Sequence, residues 1–276
     1  MMHPEIVETV QRALSEDIGA GDITSQLTVP ADRQAEGKFY ARADITVAGI
    51  DLLPLIYELR GGVDYLELLK QPGDRAKDGE LLAVVRGNAR RLLECERVAL
   101  NFMQRLSGVA TLASQYVEEV KGTSTKVLDT RKTTPGLRRL EKAAAAAGGV
   151  TNHRMGLFDY ILIKNNHITA AGGVRAALAG TVGASVPVEV EVRTWDELNE
   201  ALDAGAKKLL LDNLTPDEAR RWVDHVAGRA TTEISGGVTL ETIRAYAQAG
   251  ADYISVGAIT HSAVAVDLNF RIVLLG

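Results

Sequence analysis

Apolar positions recur at helical spacing over 5–17, where Ile6, Val7, Val10, Ala13 and Leu14 share a face, so an amphipathic opening helix is predicted. GAGDITS (19–25) reads as a loop. One or two strands are predicted between Ala35 and Ile50, then a short helix through about Leu59, capped by Asp51 and ended by Gly61-Gly62. Residues 66–70 and 80–87 are strand-like, and the turn-rich QPGDRAKDG between them reads as a hairpin connection. The longest helical pattern covers 89–121, with Gly108 as a possible break or bend and Gly122 as its end. On it Arg97, Asn101 and Arg105 fall at i, i+4 and i+8, one polar stripe on a largely apolar helix. That stripe is either a solvent face or an arginine offered to a ligand at an interface.

From Lys126 the pattern changes to strand–helix alternation. Strands are predicted at 126–130, 159–164, 186–192, 207–213, 231–237 and 251–257, and helices at 137–147, 169–179, 195–204, 215–226 and 239–249. Thr194 and Thr215 are expected N-caps, with Pro216 at the first helical position. Apolar β-branched strands alternating with helices imply a parallel sheet buried on both faces. Six such units are too few for the usual eight-stranded barrel and enough for a smaller or open one. The closing AVAVDLNFRIVLLG alternates weakly and reads as a strand returning to the N-terminal domain.

Composition narrows the class. An apolar fraction of 46% and a charged fraction of 24% are those of a globular domain with ample core, and the net charge of −5 argues against general nucleic-acid binding. No apolar run approaches the ~20 residues of a membrane helix, and the acidic N-terminus lacks a signal-peptide design. A cytoplasmic enzyme is the expectation. Cys95 is the single cysteine, excluding internal disulfides and a multi-cysteine zinc site; mid-helix, it does not suggest covalent catalysis. One window inverts the overall charge: from Arg131 to His167 seven Lys/Arg face two acids. Such an inversion beside apolar runs suggests a pocket for a polyanionic small molecule.

In parallel α/β folds the site lies at the carboxyl ends of the strands. Here those ends carry Asp129-Thr130-Arg131-Lys132, Lys164-Asn165-Asn166-His167, Glu191-Val192-Arg193, Asp212-Asn213, Ser235-Gly236-Gly237 and Val256-Gly257-Ala258. The glycines at the last two ends allow backbone N–H groups to close on a phosphate. Glu191 and Asp212 could hold a divalent metal or a sugar diol, or simply pair with neighbouring Lys/Arg. Glu189 shares the face of Glu191 but lies deeper. Arg131, Lys132, Arg154 and Lys164, with His153, can bind carboxylates and pyrophosphate. Arg138 and Arg139 are weaker candidates.

These residues carry a resemblance. DTRKTTPGLRRLEKAAAAAGGVTNHRMGLFDYILIKNNHI from Asp129, with ERVALNFMQRLSGVAT (96–111), EVEV (189–192), LLLDN (209–213), EISGG (233–237), ISVGAITHS (254–262) and GDITS (21–25), resembles the decarboxylating quinolinate phosphoribosyltransferases over nearly the whole chain. The resemblance implies an α/β fold of the type II phosphoribosyltransferase kind. Its parts would be an N-terminal α/β sandwich domain (1–107, completed by 263–276) and an open α/β barrel of about six parallel strands (108–262).

The same resemblance implies quinolinate and phosphoribosyl pyrophosphate as substrates, Mg²⁺ as cofactor, and a homodimer in which Arg97 reaches the partner's site. It places Arg131, His153 and Arg154 at the quinolinate carboxylates and counts Thr130 among the substrate-binding residues. Lys132 and Lys164 come as catalytic groups where the two substrates meet, and Glu191 and Asp212 as catalytic acids at the ribose hydroxyls and Mg²⁺. Ser235-Gly236-Gly237 and Val256-Gly257-Ala258 match the 5′-phosphate loops. Asn165 departs from the family pattern, which usually has an acid there. Rival readings are a related phosphoribosyltransferase for another acid, as found with molybdenum transport genes, and a catalytically silent sensor. The retained Arg97, Arg131, His153 and Arg154 favour quinolinate over a monocarboxylate.

Overall fold

A computed structural model describes residues 2–275 and divides the chain into two compact units. The first comprises Met1–Ser114, Thr133–Gly149 and Thr260–Gly276; the second comprises Gln115–Lys132 and Val150–Ile259.

In the first unit, helix α1 (Pro4–Ile18) buries Val10 and Leu14, as its periodicity predicts. The next segment, expected to be a loop, is a short helix α2 (Ile23–Thr28). Its signal was the Asp22 side chain, which caps the Ser25 N–H at 3.0 Å. Strands β1 (Gln34–Ala41), β2 (Ile45–Thr46), β3 (Tyr65–Leu68), β4 (Arg75–Ala76) and β5 (Leu81–Asn88) follow. Between β2 and β3, helix α3 (Leu53–Glu58) is entered through a 3₁₀ turn at Ile50–Leu52, so Asp51 lies inside the turn and does not cap.

Helix α4 (Ala89–Glu119) runs unbroken through Gly108. That glycine is a packing residue: a Cβ there would meet the Val264 carbonyl oxygen at 2.1 Å. Helix α5 (Arg138–Ala147) belongs to this unit although the strands flanking it in sequence belong to the other.

The second unit is a six-stranded parallel sheet. Its strands are β6 (Lys126–Leu128), β7 (Ile161–Ile163), β8 (Val188–Val192), β9 (Lys208–Asp212), β10 (Thr231–Ser235) and β11 (Tyr253–Ser255), ordered β6-β11-β10-β9-β8-β7. All six predicted strands are present, each shortened at one or both ends. β6 and β7 terminate the order, and the sheet is open between them among the described residues. Helices α6 (Asn165–Ala171) and α7 (Val174–Ala179) replace the single helix predicted over 169–179, because Gly172 (φ 87°) and Gly173 (φ 136°) break it. Helices α8 (Trp195–Asp203) and α9 (Pro216–Val226) begin as predicted, with Thr194 and Thr215 each forming a capping box with the glutamate three residues on. Helix α10 (Ile243–Ala247) is shorter than its pattern, and α11 (Ala258–His261) follows β11.

The chain closes on β12 (Leu268–Leu274), which pairs antiparallel with β1 and completes the first unit's sheet in the order β12-β1-β5-β3. Among the described residues no helix is long and apolar enough to cross a membrane.

The two-residue strand period splits the parallel sheet. Val190, Val192, Leu209, Leu211 and Ile234 are fully buried on one face. The other face carries Glu189, Glu191, Lys208, Leu210, Asp212, Glu233 and Ser235. Register places Glu191 and Glu233 on either side of Leu210. Charged residues in the middle of apolar strands are expensive unless compensated.

Candidate active site

At the carboxyl ends of the parallel strands lies a cavity of about 590 Å³. It is lined by Thr130, Arg131 and Lys132 after β6, His153 and Arg154, Lys164 after β7, Glu191 and Arg193 of β8, Asp212 and Asn213 of β9, and Glu233 with Ser235-Gly236-Gly237 of β10. Leu162, Leu210 and Ser255 supply the rest of the wall. Five Lys/Arg face three carboxyls, so the cavity is cationic in a chain that is anionic overall.

Only part of the basic window reaches it. Arg131, Lys132, Arg154 and Lys164 line the cavity; Arg138, Arg139 and Lys142 do not. Arg138 donates to Thr133 Oγ1 at 3.0 Å, Arg139 pairs with Glu5 at 2.9 Å, and Lys142 is buried on α5. His167 is a cap, its Nδ1 accepting the Lys164 N–H at 2.9 Å. Arg97 is exposed on α4 and is not a lining residue. Neither are Val256, Gly257 and Ala258: Val256 is buried, and its N–H is bonded to the Leu128 carbonyl at 3.0 Å.

The two acids are held by cations. Glu191 Oε2 lies 3.3 Å from Lys164 Nζ, and Glu191 Oε1 lies 3.0 Å from Arg193 Nη2. Arg193 Nε continues to Asp212 Oδ2 at 3.3 Å. Arg193 therefore bridges the acids, a role that its place at the strand end could have signalled. Burial and the Glu191 charge push the Asp212 carboxyl up, against the pull of Arg193 and Lys164. Oxygen donors of this kind suit Mg²⁺, but two carboxylates are too few to cage it. The fit is to an ion that brings waters and substrate phosphate oxygens with it.

Gly236 makes the close approach that a phosphate loop needs. At φ 98° a Cβ would stand 2.3 Å from Asn213 Oδ1 and 2.9 Å from the Asn213 backbone nitrogen. Gly237 (φ 63°) has open space where its Cβ would be, so the backbone there is bare toward the cavity. Asn213 itself has a left-handed backbone, φ 59°.

The wall beside Arg131 is set from below. Asp129, fully buried, accepts the His153 N–H at 2.7 Å and the Asn152 amide at 2.7 Å, fixing the turn that delivers Arg154. Asp159 accepts the Met155 and Gly156 N–H groups at 2.7 and 2.9 Å and closes the following loop. Burial and then the Arg131 guanidinium lower the Arg154 pKa.

Glu233 is the lining residue that the sequence reading passed over; its signal was an acid inside an apolar strand. Burial and the neighbouring Glu189 push its carboxyl up to about 7. An unfolded Glu233 would ionise near its ordinary value of 4.5. The folded state thus holds an extra proton between those values, and this group's contribution to stability is full below the window and lost as pH rises through about 7. Glu233→Gln cannot ionise. Its melting temperature relative to the wild type should therefore rise between about pH 5 and about pH 8. Calorimetry showing parallel melting curves at both values would refute this.

Comparison with known proteins agrees with this geometry. Residues 22–107 match the family described as quinolinate phosphoribosyl transferase, N-terminal domain, and residues 109–271 match its C-terminal domain. The chain is 39% identical to a probable nicotinate-nucleotide pyrophosphorylase [carboxylating] of Bacillus subtilis, covering 99% of this chain and 96% of that one. It is 41% identical to the nicotinate-nucleotide pyrophosphorylase [carboxylating] of Mycobacterium leprae, covering 95% of each. A solved nicotinate-nucleotide pyrophosphorylase from Francisella tularensis superposes with a TM-score of 0.92 at 37% identity, covering 99% of this chain and 98% of that one. With both domain families matched in order and the strand-end residues gathered in one cationic cavity, the chain belongs to the quinolinate phosphoribosyltransferase family.

Proposed function

We propose that the chain transfers the phosphoribosyl group of phosphoribosyl pyrophosphate to quinolinate with decarboxylation, giving nicotinate mononucleotide, pyrophosphate and CO₂ in de novo NAD biosynthesis. The observation that carries this reading is the single cavity joining a guanidinium wall, a bridged acid pair and a bare glycine loop. Each part suits a different portion of the two anionic substrates.

Arg131 and Arg154 receive the pyridine carboxylates, with Thr130 beside them and His153 shaping the wall. Ser235, Gly236 and Gly237 take the 5′-phosphate through backbone N–H groups. Glu191 and Asp212 hold the ribose hydroxyls and contribute oxygens to Mg²⁺. When bound, that ion neutralises the departing pyrophosphate. Lys132 and Lys164 stand where the substrates meet. Lys164 is already within 3.3 Å of Glu191, so the lysine and the acid shift partners together as the sugar enters.

The chemistry is orientation and charge stabilisation. The pyridine nitrogen is held behind the ribose anomeric carbon, and the bond to pyrophosphate breaks with oxocarbenium character. The nitrogen lone pair attacks without deprotonation, so no general base is required. Once alkylated, the ring is cationic and stabilises the electron pair left on the ring carbon as the adjacent carboxylate departs as CO₂; that carbon then takes up a proton from water, giving nicotinate mononucleotide. The assembly is a homodimer in which Arg97 completes the partner's cavity, and the enzyme works in the cytoplasm.

The decisive assay is CO₂ release from quinolinate, dependent on phosphoribosyl pyrophosphate and Mg²⁺; release without phosphoribosyl pyrophosphate, or none with both, ends this reading. A sharper expectation concerns Glu191→Ala. It should raise the KM for phosphoribosyl pyrophosphate by roughly tenfold or more and that for quinolinate much less. The reverse pattern would remove the acid from the ribose.

A further inference from the structure

Beneath the cavity lies a charged cluster whose upper members, His153 and Glu233, line the cavity wall. Glu189 and Glu233 are fully buried on the same face of the sheet, on strands β8 and β10. Lys208 Nζ sits between them, 3.5 Å from Glu189 Oε1 and 3.2 Å from Glu233 Oε2. Tyr160 donates its hydroxyl to Glu189 Oε2 at 3.1 Å, and the Lys208 ammonium lies over the Tyr160 and Tyr253 rings at 5.3 and 4.9 Å. The top of the cluster is His153. Its Nε2 lies 3.3 Å from Glu189 Oε2 and 3.5 Å from Glu233 Oε2, aligned with neither as a linear hydrogen bond.

The other ring nitrogen settles the tautomer. His153 Nδ1 accepts the backbone N–H of Arg154 at 2.7 Å, so it presents a lone pair and the ring hydrogen is on Nε2, facing the acids. Nδ1 is bonded to the backbone, and Nε2 stands nearest the two buried acids. Arg154 is tied into the same ring of contacts, its guanidinium donating to the Tyr160 carbonyl at 3.3 Å.

We propose that Lys208 and Glu233 are positioning residues for this reaction: with Glu189 they lock the His153 ring with its hydrogen on Nε2, and the ring holds the Arg154 amide so that the guanidinium is presented to the anionic substrate. The substrate half of this inference rests on the assignment of the cavity to quinolinate; the state of the ring does not.

Charge counting supports it. The Lys208 ammonium stands between the two buried carboxyls and offsets their charge. Burial and the neighbouring Glu189 raise Glu233. Lys208 is raised despite its burial, by the same two acids. The groups facing Glu233 are therefore His153, Glu189, Lys208 and Ser255, the last from β11. His153, Glu189 and Glu233 also have the spacing of a metal site, but the ammonium already holds the cation's place among them.

Nitrogen-15 NMR of the full-length protein labelled at histidine reads the ring directly. The His153 signals, assigned by their loss in His153→Asn, should show a protonated Nε2 and a lone-pair Nδ1 at neutral pH. Signals of Nδ1–H or of a doubly protonated ring would overturn the proposal, as would a stoichiometric shift on adding Zn²⁺ or Mg²⁺ alone, which would make the cluster a metal site. Glu233→Gln should retain the tautomer. Lys208→Met should mix it and raise the quinolinate KM roughly tenfold, with the phosphoribosyl pyrophosphate KM changed less than about twofold. Equal rises in both constants would reduce Lys208 to a structural role. If Lys208→Met does not fold, the wild-type ring state and Glu233→Gln decide the matter. No quinolinate turnover with the expected ring state would sink the substrate assignment and leave the lock standing.

Discussion

Arg97→Ala should leave a folded protein that turns over quinolinate at least about a hundredfold more slowly, the effect of removing one fixed donor from a transition-state site. The size is unexpected from the fold of one chain. Arg97 is exposed, makes no hydrogen bond or salt bridge among the described residues, and is not a lining residue of the cavity. Alanine is the best helix former, so on an exposed position of α4 the change should alter stability by no more than about 0.5 kcal/mol. A large loss of activity with unchanged melting then has one economical source: a cavity on another copy.

Mixing makes that concrete. In a two-fold dimer of Arg97→Ala with Lys132→Ala, one cavity inherits both defects and the other inherits neither. Verified heterodimers should regain activity that neither parent shows. Their silence would confine Arg97 to its own chain and return the polar stripe to a solvent face.

That stripe also shows where a sequence stops being informative. Arg97, Asn101 and Arg105 share a helical face, and period alone cannot say what each meets. In the structure Arg105 is drawn inward by Glu141, while Arg97 and Asn101 stay exposed. The six parallel strands were legible because β-branched runs between helix caps admit little else. So were the strand-end residues, since a parallel sheet dictates where its open ends lie. The deep cluster was less so. Glu189 could be placed on the face of Glu191, but its pairing with Lys208 and Glu233 depends on strand order and register, which join residues distant in sequence. The basic window misled in one respect. Charge counted along a chain ignores direction, and Arg138, Arg139 and Lys142 sit on α5, which packs in the other unit. The glycine pair at 172–173 interrupts a helical pattern that resumes on either side, so periodicity alone spans the break.

Glu141→Ala should be the most destabilising single change in the first unit, costing roughly 3–5 kcal/mol. The carboxylate is fully buried. Its Oε1 accepts from Arg105 Nε at 3.0 Å, Arg105 Nη2 at 2.7 Å and the Thr134 hydroxyl at 2.7 Å, while Oε2 accepts the Thr134 N–H at 2.9 Å. Arg105 goes on to the carbonyls of Thr260 and Ala263 at 2.5 and 2.6 Å. One acid thus tethers α4, the start of the 133–149 segment, and α11 with the chain just after it. Alanine would strand a guanidinium three-quarters buried and leave the Thr134 amide without its acceptor. Against a typical total of about 5–15 kcal/mol, a melting temperature lower by roughly 10 °C is expected.

Arg105→Ala should cost less, because the carboxylate keeps both Thr134 donors. The double variant should cost clearly less than the sum of the two, since the second change removes a partner already stranded by the first. Additive losses in calorimetry would mean that the two residues contribute separately and that no such tether exists. Thr134 follows Lys132 by two residues in the chain, so loosening it should also slow turnover below the melting transition. Activity that persists up to unfolding would show that Lys132 is held by its own side of the chain, through the Thr130 hydroxyl that accepts its N–H at 3.1 Å.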